Sequence, residues 1–138
     1  MPTLITRDYV VSKKRGFSAG TFYVSIIGSL EGESNTQDDP AMLMKRSGKL
    51  SKLRVYITDG GNPSATASVT LHKKPSGGAW GATSLTISNS GGSIGLFEDN
   101  THEVTFASGD LLCWEIVSTT TFTNGFALRF IATRVEDQ

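Results

Sequence analysis

The chain has 138 residues with 13 basic and 13 acidic side chains, so its formal net charge is zero. It holds 16 Ser, 16 Thr and 15 Gly but only 19% charged residues, which excludes a coiled coil or helical bundle, whose faces need an excess of Ala, Leu, Glu and Lys. A hydrophobic share of 38% argues against disorder, and the neutral balance argues against a dedicated nucleic-acid binder; the length fits one domain able to bury its own core.

Residues 1–19 read as a polar N-terminal arm. It ends in the basic run Lys13, Lys14, Arg15 beside Phe17, a set that suits either a solvated arm or one lying on an acidic partner. The first eleven residues mix Thr3, Arg7 and Asp8 with apolar ones, unlike a secretory leader. No apolar run approaches the ~20 residues that span a bilayer. A single cysteine, Cys113, permits no intrachain disulfide. Synthesis in cytoplasm, without membrane insertion, is the expectation.

Residues 20–138 read as a single β-sandwich domain. Apolar residues alternate with polar ones in eight segments, the period of strands with one buried face. In chain order these are Phe22–Ile26, Leu53–Ile57, Val69–Leu71, Leu85–Ile87, Ile94–Leu96, Val104–Phe106, Leu112–Ile116 and Phe126–Phe130. Turn residues separate them: Asp59-Gly60-Gly61-Asn62-Pro63, Gly77-Gly78, Gly91-Gly92, Gly109-Asp110 and Asn124-Gly125. Each group accepts the backbone angles of a reversal. Eight antiparallel strands predict an all-β, jelly-roll-like sandwich, with a seven-stranded immunoglobulin-like sandwich as the competitor.

The connection from Glu31 to Ser47 is long for a loop. Its first part is acidic and polar; its second is Pro40-Ala41-Met42-Leu43-Met44-Lys45-Arg46. Pro40 after Asp39 is placed to start a helical turn. Met42, Leu43 and Met44 are an odd apolar run for a solvated loop, which makes them candidate contact residues.

Catalytic and metal templates find little support. Cys113 should face away from the core if Trp114 faces into it, as a quiet structural thiol. His72, before Lys73-Lys74, is expected at the surface. The run Glu98-Asp99-Asn100-Thr101-His102-Glu103 fits neither the calcium nor the zinc spacing and reads as a polar hairpin loop. No Gly-x-Ser-x-Gly elbow or phosphate loop occurs. The expectation is no catalytic residue, no metal and no cofactor. If the surface bound sugars, Trp80 between its glycines would be the first stacking candidate, with Tyr56 and Phe97 behind it; Trp80 also suits a cap on the end of the core. The zero net charge is itself a sum. Residues 1–54 hold nine basic and five acidic side chains, a balance of +4, and residues 55–138 hold four and eight, a balance of −4.

The segment Gly48-Lys49-Leu50-Ser51-Lys52-Leu53-Arg54-Val55-Tyr56-Ile57 resembles a strand of the small jelly-roll virion proteins of tailed bacteriophages. The run Thr101 to Trp114, a strand, a Gly-Asp turn and an apolar strand, is similar to theirs, as is the closing Phe126-Ala127-Leu128-Arg129-Phe130. The same Gly-Asp turn looks like one in the trimeric tumour-necrosis-factor-like jelly rolls. The resemblance covers about residues 48–135. It implies a non-enzymatic capsid decoration (cement) protein on the virion surface, homo-oligomeric with a trimer favoured. Its partner would be the major capsid protein, with no direct contact to nucleic acid. The contact candidates are then Lys13, Lys14, Arg15, Phe17, Met42, Leu43 and Met44. The alternative is a carbohydrate- or receptor-binding module of a head or tail fibre.

Overall fold

The computed structural model describes residues 4–13, 20–26, 28–29, 36–38, 40–58, 67–88, 95–118 and 127–137. Its ten strands are β1 (Leu4–Lys13), β2 (Gly20–Val24), β3 (Gly28–Ser29), β4 (Met42–Leu43), β5 (Gly48–Thr58), β6 (Ala67–Lys74), β7 (Gly81–Ser88), β8 (Gly95–Phe106), β9 (Leu111–Ser118) and β10 (Ala127–Asp137). The long strands pair antiparallel from the outside in: β1 with β10, β2 with β9, β5 with β8 and β6 with β7. The chain is thus one long hairpin. Its rolling adds the pairs β10–β5 and β6–β9 and yields two sheets, ordered β3-β1-β10-β5-β8 and β2-β9-β6-β7, with β4 on the β2 side of β9. That is the jelly-roll arrangement.

Alternation places the core. Leu50, Leu53, Val55, Val104, Phe106 and Ala132 face inward from the first sheet. Val24, Val69, Leu71, Leu85, Ile87, Leu112, Trp114 and Ile116 face inward from the second. Trp114 is fully buried at the centre of β9.

Three features depart from the sequence reading. Residues 4–13 of the supposed arm are β1, paired with β10 over ten positions. Their alternation is interrupted by Arg7-Asp8, and the partner strand lies at the other end of the chain, so local pattern does not reveal the pairing. Of the supposed strands at 94–96 and 104–106, residues 95–96 and 104–106 belong to one strand, β8, and the supposed hairpin loop at 98–103 lies within it, while Ile94 lies outside the described residues. Finally, Pro40 starts no helix. Ala41 N–H donates to Asp38 O (3.4 Å) in a turn, and β4 follows.

The interruption of β8 has a local cause. Asn100, Thr101 and His102 bulge out opposite Lys52, where the register of β5 shifts against both neighbours. Lys52 takes a left-handed conformation there (φ 54°), as bulges permit. The buried Asp99 carboxylate holds the excursion. It accepts the backbone N–H of Thr101 (3.2 Å) and His102 (3.1 Å), the Thr101 hydroxyl (3.2 Å) and His102 Nδ1 (2.9 Å). It also accepts Thr86 N–H (3.4 Å) from β7, linking the two sheets. Burial alone pushes the Asp99 carboxyl up, but these donors outweigh it and hold it below its ordinary value.

Asp99→Asn is therefore expected to cost about 2 kcal/mol at neutral pH. A lowered folded pKa contributes stability that is full above the unfolded value, 3.8, and is lost as pH falls from there through the lower folded value. In urea melts the gap between parent and variant should be wide at neutral pH and close in acid. A gap unchanged by acid would contradict this role.

Candidate functional site

Three connections meet at one end of the sandwich. Asp110, buried at the start of β9, joins them. Its carboxylate accepts Ser76 N–H (3.1 Å) from the β6–β7 turn and Ala107 N–H (2.9 Å) from the β8–β9 turn. Its carbonyl accepts Met44 N–H (2.8 Å), and Gly109 N–H donates to Met44 O (2.7 Å). Gly109 has φ +94° with Ser76 close by, a conformation that suits glycine. The Ser108 hydroxyl donates to Lys45 O (2.8 Å). The segment after β4 is therefore fixed by backbone bonds on both sides.

This end settles the apolar run of the long connection. Met42 pairs with Leu112 and Leu43 with Leu111, so the three residues alternate. Met42 packs against the core, Leu43 is 59% exposed, and Met44 is a core residue at 1%. Of the run proposed for contact, Leu43 alone projects outward. Lys13 ends β1, and Lys14, Arg15 and Phe17 lie outside the described residues.

The sugar-stacking candidates do not converge. Trp80 is half-buried, and its indole N–H donates to Asp38 Oδ1 (2.8 Å). Phe97 packs against the core. Tyr56 is exposed, directly across from the exposed Leu96 on β8. Beside them Arg54 pairs with Glu98 (3.2 Å), and Lys49 pairs with Glu103 (3.1 Å).

A second group lies on the outer face of the β2-β9-β6-β7 sheet. His72 and Cys113 are cross-strand partners, and Tyr23 is paired with Glu115. Cys113 faces away from Trp114, as expected, yet it is fully buried. His72 is buried too, contrary to the surface position expected, because the 36–38 segment covers it. Gln37 Nε2 contacts His72 Nδ1 at 3.1 Å. His72 Nε2 lies 3.2 Å from Glu115 Oε2 without a formed hydrogen bond. Tyr23 donates to Glu115 (3.4 Å) and meets the His72 ring edge-on. Burial, then the Glu115 charge, raises the Tyr23 hydroxyl. Burial, then Glu115 and Asp38, pushes the Cys113 thiol up to about 12. A thiol so held stays protonated at neutral pH and is a poor nucleophile. Sequence reasoning missed this cluster because its cover comes from a distant segment.

Among the described residues no group of three or more His, Cys, Asp and Glu side chains is placed to hold a metal ion. No helix among them is long and apolar enough to cross a membrane.

No protein-family model matches the chain, and no curated protein matches it. Solved structures similar to it at low identity include the following three. The Yersinia pseudotuberculosis-derived mitogen is 19% identical with a TM-score of 0.39, the match covering 96% of this chain and 86% of that one. A chain of Desmodium yellow mottle tymovirus is 16% identical with a TM-score of 0.44, covering 100% and 89%. A chain of the infectious bursal disease virus Gx strain is 12% identical with a TM-score of 0.41, covering 98% and 36%. The jelly-roll assignment rests on the strand order, not on these likenesses.

The alternation at 42–44 has a direct consequence for stability. Met44→Ala should cost about 3 kcal/mol, as for a buried methionine, whereas Leu43→Ala should stay within about 0.5 kcal/mol. Urea melts of the two variants check this. Equal losses would place Leu43 inside and contradict the assignment.

Proposed function

We infer that the chain is a non-catalytic structural protein of a virion, a decoration (cement) protein that binds the outer capsid shell as an oligomer. The observation that carries this reading is the loop end held by Asp110. There a large apolar side chain, Leu43, stands 59% exposed on backbone fixed by hydrogen bonds. An apolar residue on a prearranged support loses little entropy on docking, which favours stable association. The groups that nucleophilic catalysis would draw on, Cys113 and His72, are both buried. The sequence likeness to phage virion jelly rolls points the same way, although a fold of this kind hosts many functions. On this reading the shell partner is the major capsid protein and the favoured assembly is a trimer.

A fibre module that binds glycans is the second reading, and Tyr56 supports it. The residue is 47% exposed on the outer face of its sheet, where a ring can stack on a sugar.

Light scattering, followed by co-sedimentation with undecorated heads of the parent virus, tests the first reading. The expected results are the mass of three 14.8-kDa chains and saturable binding to heads. A monomer that leaves heads bare, yet binds a glycan array in a Tyr56-dependent way, would overturn it in favour of the second.

A further inference from the structure

The geometry points to an acidic protein surface with an apolar socket as the partner of one corner of the sandwich, formed by Leu43, Lys45, Arg46 and Lys74. This inference rests on the assembly reading above and names the chemistry of the docking surface.

Register brings the residues together. Leu43 on β4 and Lys74 on β6 both pair with Leu111 of β9, one from each side. The three therefore form a row across the outer face at the sheet's end, with neighbouring strands about 4.8 Å apart. Lys45 and Arg46 follow directly, on the backbone held by Ser108, Gly109 and Asp110. Both are exposed, and Lys74 is half-buried. No acidic side chain among the described residues pairs with any of the three. Two cations of β5 differ, since Arg54 and Lys49 are already neutralised by Glu98 and Glu103. Asp110 is buried and committed to two backbone donors, and Asp38 is held by Trp80. Among the described residues the corner thus sets unpaired cations beside an exposed leucine.

The mixture selects the partner class. Three cations fall short of the six to ten or so phosphate contacts that make nucleic-acid binding strong. A duplex backbone also offers nothing to Leu43. A protein surface with carboxylates around an apolar depression satisfies both parts, with the apolar contact at the centre and charge pairs at the rim.

The test uses the full chain and an immobilised peptide of repeating Glu-Glu-Leu units. A Lys-Lys-Leu peptide, a short DNA duplex and phosphatidylserine vesicles form the other arms. The acidic peptide should bind best, and more weakly as NaCl rises from about 50 to about 200 mM. Changing Lys45→Glu, Arg46→Glu and Lys74→Glu together should weaken it about tenfold. Leu43→Ser should weaken it a few-fold at every salt concentration, while Lys52→Glu, outside the corner, should change it by about twofold or less. Failure of the peptide to bind, tighter binding to DNA or vesicles, or indifference to the triple change would each overturn the inference. Heads bound equally by parent and triple variant would overturn it and leave the assembly reading standing. Corner-dependent peptide binding by a protein that ignores heads would do the reverse.

Discussion

The end of the molecule that faces outward with Leu43 depends on one carboxylate. Asp110 binds backbone N–H groups from two turns, while its own carbonyl binds Met44 of a third connection. A buried carboxylate that accepts two amide donors is a strong local constraint, because removing it leaves both donors without partners. From that constraint the rest of the corner follows. Met44 is drawn into the core, the alternation of a two-residue strand turns Leu43 out, and Lys45 and Arg46 leave on fixed backbone.

The sandwich supplies the frame for this end. Because the strands nest as one rolled hairpin, each turn at the tip of a pair is brought beside turns from distant parts of the chain. The same nesting closes the core around Trp114. It also puts His72, Cys113 and Glu115 on an outer sheet face, where the 36–38 segment covers them. Cys113 and His72 are thus withdrawn, while among the described residues Leu43 is exposed beside unpaired cations at one end and Tyr56 and Leu96 are exposed on the opposite sheet.

Period-two alternation made most of the sandwich legible, since β5 and β7 each bury every second residue over much of their length and say so in sequence. It failed where backbone pairing overrode side-chain pattern. Arg7-Asp8 conceals β1, whose pairing with β10 depends on residues more than a hundred positions away. The Asn100–His102 excursion makes β8 read as two strands and a loop; Asp99, two residues before Thr101, was the available signal. Met42, Leu43 and Met44 read in the sequence as one apolar block. Read with the strand period, they would have been separated into two inward residues and one outward. The burial of His72 and the partner of Trp80 are not legible in the sequence, because Gln37 and Asp38 reach them from a distant segment.

The central claim is that the corner is built before it meets a partner, and amide hydrogen exchange tests it most directly. In the parent protein the N–H groups of Met44, Ser76, Ala107 and Gly109 should exchange slowly. In Asp110→Ala, which removes both acceptors, those of Ser76 and Ala107 should exchange at least about tenfold faster, a loss of roughly 1.4 kcal/mol of local protection. The amides at the centres of β5 and β9 should be unchanged. Fast exchange at these turns in the parent, or protection in the variant equal to the parent's, would contradict the account.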